Sequence, residues 1–396
     1  MRSNYKKLGN YIELVSCLNT NLQYGEVDVR GVSNSKKIIQ TKANNEGRDF
    51  NIFYVVKPNE FIYNSRTSRM GEKVGLGYNE TEKTFITSFN NTVFRVKNEE
   101  LLPKYLFMWF NRPEFDRYVR FHSWGSSTEI FSWEEMCNTL LPIPHISKQH
   151  EIVKEYNVIQ NRITLNQQLI QKLEETAQAI YKQWFVDFEF PNEDGKPYKS
   201  NGGEMLESEE LEKEIPKGWN VGKLADIATI IMGQSPEGES YNKDGVGMIF
   251  YQGRTDFGYR FPEITTFTTQ PKKKALKNDI LISVRAPVGD LNIAIEDCSI
   301  GRGVGALRSK FKCNSHLFYL LQKLKSKFDI SDGEGTIFGS INKDDLHNME
   351  VVYSKSVVKN FEKIVSPLDE RIKNYSKQNQ NLKSLKDLLL SKLATI

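Results

Sequence analysis

Cysteine is scarce in this chain, and the four residues present, Cys17, Cys137, Cys298 and Cys313, show no C-x-x-C spacing. That excludes a zinc cage and a disulfide framework and leaves buried free thiols as the expectation. No apolar run reaches membrane-spanning length, and the opening MRSNYKKLGN lacks the apolar core of a secretion signal, so a cytoplasmic protein is expected. The phosphate-cradling G-x-x-x-x-G-K-[ST] loop is missing, as are the N-P-P-[YF] and D-P-P-Y tetrapeptides that go with adenine methylation. GRGVGAL at 301–307 is glycine-rich without G-x-G-x-x-G spacing, and His145 and His150 have no supporting Cys or carboxylate pattern. No catalytic residue, metal ligand or cofactor site is therefore assigned to this chain.

What is present is length, balance and repetition. The 396 residues exceed one ordinary core and suit two or three domains. Net charge is only +4, but it is unevenly placed. Residues 191–215 carry 3 basic and 8 acidic side chains, while 351–396 carry 9 and 4. A mild basic excess outside the acidic stretch is a weak pointer to nucleic acid.

The strongest pattern is a coiled-coil period. Ile152, Tyr156, Ile159, Ile163, Asn166, Ile170, Leu173, Ala177, Ile180 and Trp184 follow alternating steps of 4 and 3, which is an a/d heptad seam with one polar member. It returns as Val365, Leu368, Ile372, Tyr375, Asn379, Leu382, Lys386, Leu389 and Leu393, with Asn379 in the place of Asn166. At about 1.5 Å per residue the first helix spans roughly 50 Å. An antiparallel pair with the asparagines opposed sets Trp184 against Phe361, Ala177 against Leu368 and Tyr156 against Leu389. Ile159 against Lys386 is the poor match. The expected contacts between the helices are carried by Ile163, Asn166, Ile170, Leu173, Trp184 and Phe185 on the first, and by Ile372, Tyr375, Asn379, Leu382 and Leu389 on the second. Pro367 is expected to kink or restart the second helix.

Each helix follows a module of short strands, a helix, and a loop with an extended lead-in. In the first, 52–56, 61–64 and 92–96 read as strands. Residues 102–121 read as helix divided at Pro113, and Ser132 with Glu135 reads as a capping box. In the second, VGKLADIA echoes the earlier YKKLGNYI, strands fall at 249–252, 279–284 and 292–295, and 317–328 is helical. GEGTIFGSINKDDLHNMEVV then repeats the loop and lead-in of the first copy. The fold class is α+β: two duplicated domains at 1–145 and 216–353, long helices at 146–190 and 354–396, and a connector at 191–215.

The loops carry signals for DNA. NSRTSRMGEK at 64–73 sets Arg66, Arg69 and Lys73 among small polar residues beyond a strand, and Lys36 and Lys37 form a second basic pair. In the other copy, Arg285 stands in SVRAPVGD, Gln252 and Arg254 in YQGRTDFG, Lys272, Lys273 and Lys274 in PKKK, and Arg302 between glycines. Arginine can fork onto guanine and glutamine onto adenine, while lysines suit phosphates. The glycine-serine loops at 124–128 and 333–340 contribute Ser126, Ser127 and Ser340 as hydroxyl donors beside a helix start.

Taken together, LLPIPHISKQHEIV with the helix that follows, YNKDGVGMIFYQGRTDFG, DILISVRAPVGDLNIA, RPEFDRYVRFHSWGSS and GTIFGSINKDDLHNMEVV carry a resemblance. Over essentially its full length the chain resembles the specificity subunit of type I restriction-modification enzymes. The resemblance implies two target-recognition domains, each reading one half of a bipartite sequence in double-stranded DNA, with the paired helices measuring the spacer. It implies a non-catalytic chain with methyltransferase subunits, two in number, docked on the helices and a restriction subunit as a further partner. S-adenosylmethionine, ATP and magnesium would then belong to those partners. The alternative is a coiled-coil adaptor with only non-specific DNA binding.

Overall fold

A computed structural model describes residues 5–41, 47–67, 73–125, 129–209, 211–329 and 340–395. The chain divides into two compact units, Met1–Asn166 with Lys377–Ile396, and Gln167–Ser376. The units therefore cut across both long helices, whereas the sequence reading set the helices apart as segments of their own.

In the first unit a four-stranded antiparallel sheet runs Ile12–Leu14, Asn91–Val96, Glu60–Asn64, Leu76–Tyr78 in spatial order. Alternation places Phe61, Tyr63 and Phe94 on the core face, where Phe61 stacks on Phe94 at 4.9 Å between ring centroids. The helices Pro103–Phe110 and Pro113–Phe121 cover that face, each opening on a proline. Proline at the first helical position has its fixed φ already suited and loses no hydrogen bond, which is why the apolar run divides at Pro113. Ser132 caps Trp133–Asn138 by accepting from Glu135 N at 3.1 Å. Residues 50–52 form a 3-10 turn, so the expected strand at 52–56 begins at Tyr54.

The second unit repeats this arrangement. Ala228–Met232, Val304–Ser309, Ile280–Ser283 and Leu291–Ile293 lie in the same spatial order, all antiparallel. Tyr5–Lys7 pairs with Leu140–Pro142 in one unit and Asn220–Lys223 with Glu350–Tyr353 in the other. The echo between YKKLGNYI and VGKLADIA is thus an echo of strand pairing. The acidic connector is more ordered than its composition suggests: Met205–Ser208 and Lys213–Pro216 form a hairpin, and Phe188 and Phe190 pack against Trp219.

The long helices run from Ile146 to Phe185 and from Lys355 to Lys392. In the first unit Ile152 and Tyr156 share a core with Leu390 and Leu393, and Asn166 meets Asn379. In the second, Trp184 lies edge-on to Phe361 at 5.9 Å, and Ile170 joins Ile372. Ile163, Asn166, Ile170, Trp184, Ile372 and Asn379 are buried, and Leu173, Phe185, Tyr375, Leu382 and Leu389 half-buried. Lys386, the poor match, is accommodated at the edge of the seam: its ammonium donates to Gln160 Oε1 at 3.1 Å and lies over the Tyr156 ring.

Pro367 does not interrupt the second helix, contrary to the sequence expectation. Its ring and Lys363 one turn earlier both face solvent, so water can take the carbonyl that proline leaves without a donor. Phe361 and Val365 are buried on the other face and Leu368 packs there, carrying the helix through.

Candidate nucleic-acid interface

Both units build the same edge from the same two segments. In the second, the strand Ile280–Ser283 runs on to Arg285, two residues past its end, and Arg285 bridges antiparallel to Ser340. Ile341 N donates to Val284 O at 2.9 Å and fixes that register. In the first, Glu60–Asn64 runs on to Arg66, again two residues past the strand, and Arg66 bridges to Ile130. There Phe131 N donates to Ser65 O at 2.8 Å. Each arginine is exposed at the junction of a core strand and the segment leaving a glycine-serine loop. Arg69, Ser126 and Ser127 lie outside the described residues.

The second edge is enlarged by a glycine hub. A Cβ on Gly303 would stand 2.8 Å from Gln252 O, and one on Gly301 3.1 Å from Gln252 Cα. A side chain at 303 would force these backbones apart, and one at 301 would crowd them. Ile300 N donates to Lys273 O, Val284 N to Gly303 O, and Arg302 N to Ser235 Oγ at 3.3 Å. Gln252, Lys273, Arg285, Arg302 and Ser340 are thereby drawn to one region, and all five are exposed. Gln252 is further steadied because Asp256 Oδ2 accepts from its backbone N–H.

Other expected contacts are committed elsewhere. Lys36 is buried, with its ammonium on Asp116. Arg254 is held by Asp290, which also takes Lys325. Burial opposes the charge on Asp290, but Lys325 and Arg254 outweigh it and keep the carboxyl below its ordinary range. Lys272 reaches Glu237 at 2.5 Å. Neither Lys36 nor Arg254 is offered outward as a free cation, which the sequence could not show because their acids are distant along the chain. Lys37, Lys73 and Lys274 are exposed, and the backbone links that define the two edges do not include them.

A sequence profile for the type I restriction modification DNA specificity domain matches residues 15–175 and again 216–384. The chain belongs to that family. It is 32% identical over 297 residues to a protein named as the MjaX type I restriction enzyme specificity subunit of Methanocaldococcus jannaschii, covering 74% of this chain and 66% of that one. Another similar protein is the HindI specificity subunit of Haemophilus influenzae, 23% identical, with 78% and 80% covered. The crystal structure of a type I restriction-modification S subunit from M. genitalium shares the fold with a TM-score of 0.57 and 16% identity, over 98% of this chain and 95% of that one. Members of the specificity family are non-catalytic, and so is this chain. Among the described residues no helix is long and apolar enough to cross a membrane, and no group of His, Cys, Asp and Glu is placed to hold a metal ion.

Two exposed aromatic residues flank the first edge. Trp124 is 69% exposed and bridges Ile130 beside Arg66, and Phe121 close by is 72% exposed. Phe121 ends the helix Pro113–Phe121 and Trp124 stands in its exit.

Proposed function

We propose that this chain is the DNA-reading subunit of a type I restriction-modification system, with one half of a bipartite target read by each unit. What carries the reading is the duplicated edge: Arg66 bridged to Ile130 and Arg285 bridged to Ser340, at equivalent places in two copies of one fold. An exposed guanidinium held on a strand end has the fork geometry for guanine O6 and N7, and Gln252 that for adenine. Lys273 and Arg302 would contact phosphates, fixing register rather than sequence. Trp124 and Phe121 offer apolar surface of the kind that meets thymine methyl groups.

The long helices act in this proposal as an antiparallel coiled coil that sets the separation of the two readers and docks methyltransferase subunits. Support comes from the seam contacts within each unit, Asn166 with Asn379 and Trp184 with Phe361. Inserting one heptad into both helices adds about 10 Å and should lengthen the spacer that the complex accepts. Adenine methylation and ATP-driven cleavage, with their S-adenosylmethionine and magnesium, would reside on those partners.

Co-expression with the methyltransferase partner, followed by genome-wide mapping of methylated adenines, tests the reading. Two short fixed elements separated by a constant spacer are expected. Methylation without a bipartite motif, or a footprint that is a uniform salt-sensitive smear, would favour the non-specific adaptor instead.

A further inference from the structure

The two units differ sharply at one equivalent place. The offset of 213 residues that relates Asn166 to Asn379 also relates Tyr156 to Asp369 and Glu174 to Asp387. In the second unit this place is closed from within. Arg260, in the left-handed region at φ 65°, is buried with its guanidinium on Glu174 and Asp369 and stacks 4.2 Å over Phe318. Tyr319 completes the cluster by donating to Asp369 at 3.0 Å.

In the first unit the corresponding floor is Phe107, like Phe318 the fifth residue of its helix, beside Tyr156. Here the chain sends lysines instead of an arginine plug. Lys104 lies 5.6 Å over both the Phe107 and Tyr156 rings, and Lys386 lies 5.9 Å over Tyr156. They border a cleft of about 750 Å³ whose wall holds six cationic side chains, Lys37 among them, against the carboxylates of Asp28 and Glu80. Cations remain in excess even with Lys36 spent on Asp116 and Lys104 sharing one of its three donors with Glu80. Burial lowers the proton affinity of Lys386; Asp387 opposes this, and the charges of Lys383, Lys37 and Lys104 lower it further.

We infer that this cleft binds a phosphate group, held by Lys37, Lys104 and Lys386 over the Tyr156 ring. Several ammonium point charges converging on one space suit a multiply charged tetrahedral anion, whereas a planar carboxylate is better matched by an arginine fork. The second unit satisfies the same place with its own ion cluster; the first leaves it to a ligand. The phosphate can come from a DNA backbone or from a free phosphorylated molecule. The inference rests on the cleft alone and stands apart from the assignment of the recognition edges.

Isothermal titration of the full chain with inorganic phosphate tests it. Saturable binding is expected, at least tenfold weaker in Lys386→Met and Lys104→Met, retained in Lys386→Arg and unaffected by Arg285→Ala. Repeating the titration with a saturating random-sequence duplex separates the sources. Loss of phosphate binding identifies the DNA backbone, and undiminished binding identifies a free ligand. Absence of saturable binding, or binding that Lys104→Met and Lys386→Met leave unchanged, overturns the inference. Should Lys386→Met fail to fold by circular dichroism, the exposed Lys37→Met gives the same readout.

Discussion

Asn166 donates from Nδ2 to Asn379 Oδ1 across 2.9 Å, with both side chains buried in a largely apolar seam. The same amide also donates to Gln378 Oε1 at 2.8 Å, and Arg162 reaches that oxygen from the neighbouring turn. A polar pair here lowers stability relative to two leucines but rewards only one register, since a slip strands both amides.

Asn166→Leu alone should therefore destabilise by about 1–3 kcal/mol, because Asn379 is left buried without its donor. The double variant with Asn379→Leu should regain most of that loss. Urea unfolding of the two single variants and the double gives the coupling, and purely additive losses would argue against a register pair.

Arg260 invites a second cycle. Deleting one member of a buried ion cluster typically costs about 3–5 kcal/mol, whereas an apolar replacement of the whole cluster can be nearly neutral. Arg260→Met is expected to lower the unfolding midpoint markedly. The triple variant with Glu174→Leu and Asp369→Leu should be more stable than Arg260→Met alone. A triple variant as weak as the single would mean that Arg260 acts through packing on Phe318 rather than through charge.

The two recognition edges should fail independently. Arg285→Ala is expected to relax one half of the DNA target by about 1–3 kcal/mol of discrimination, while Arg66→Ala does so for the other half. Competition binding against duplexes altered in one half at a time reads this out. Lys273→Ala should instead weaken all sequences alike and reduce the salt slope by about 1.

His316 makes stability pH-dependent in a defined direction. It is enclosed by Tyr181, Phe185 and Phe361, and burial pushes its pKa down to about 3. The unfolded chain takes up this proton near pH 6.5 and the folded chain does not. Stability thus falls as pH drops from about 6.5 toward 3, by up to about 1.4 kcal/mol per pH unit. Glu362, which accepts from His316 N, has its pKa raised, by burial first, and acts in the opposite sense because the folded state holds that proton more tightly. His316→Phe should flatten the acid slope relative to the parent in denaturant unfolding at pH 6 and pH 4. Equal slopes would show that the imidazole is protonated in the folded state.

Much of this was legible because period survives without a structure. The 4-3 spacing located both long helices and the facing of Asn166 with Asn379, and turn chemistry located the division at Pro113 and the cap at Ser132. What failed to show was whatever depends on partners distant in sequence. Lys36 and Arg254 read as exposed cations until Asp116 and Asp290 were brought to them. Pro367 read as a break because sequence does not say which face of a helix meets water. The cleft itself escaped notice for the same reason: Lys386 read as a poor seam match and Lys37 as half of a basic pair, while Lys104, far from both along the chain, meets Lys386 over Tyr156.

The glycines at 301 and 303 make the backbone of the second edge a fixed frame. Any side chain at Gly303 would run into the Gln252 carbonyl, so the frame tolerates no rewriting. Gln252, Arg285 and Arg302 project from it without supporting it. On the proposed reading, exchanging Gln252 and Arg285 should change the DNA preference of this unit while the scaffold beneath them keeps its shape. This is an alphabet set in a rigid typeface.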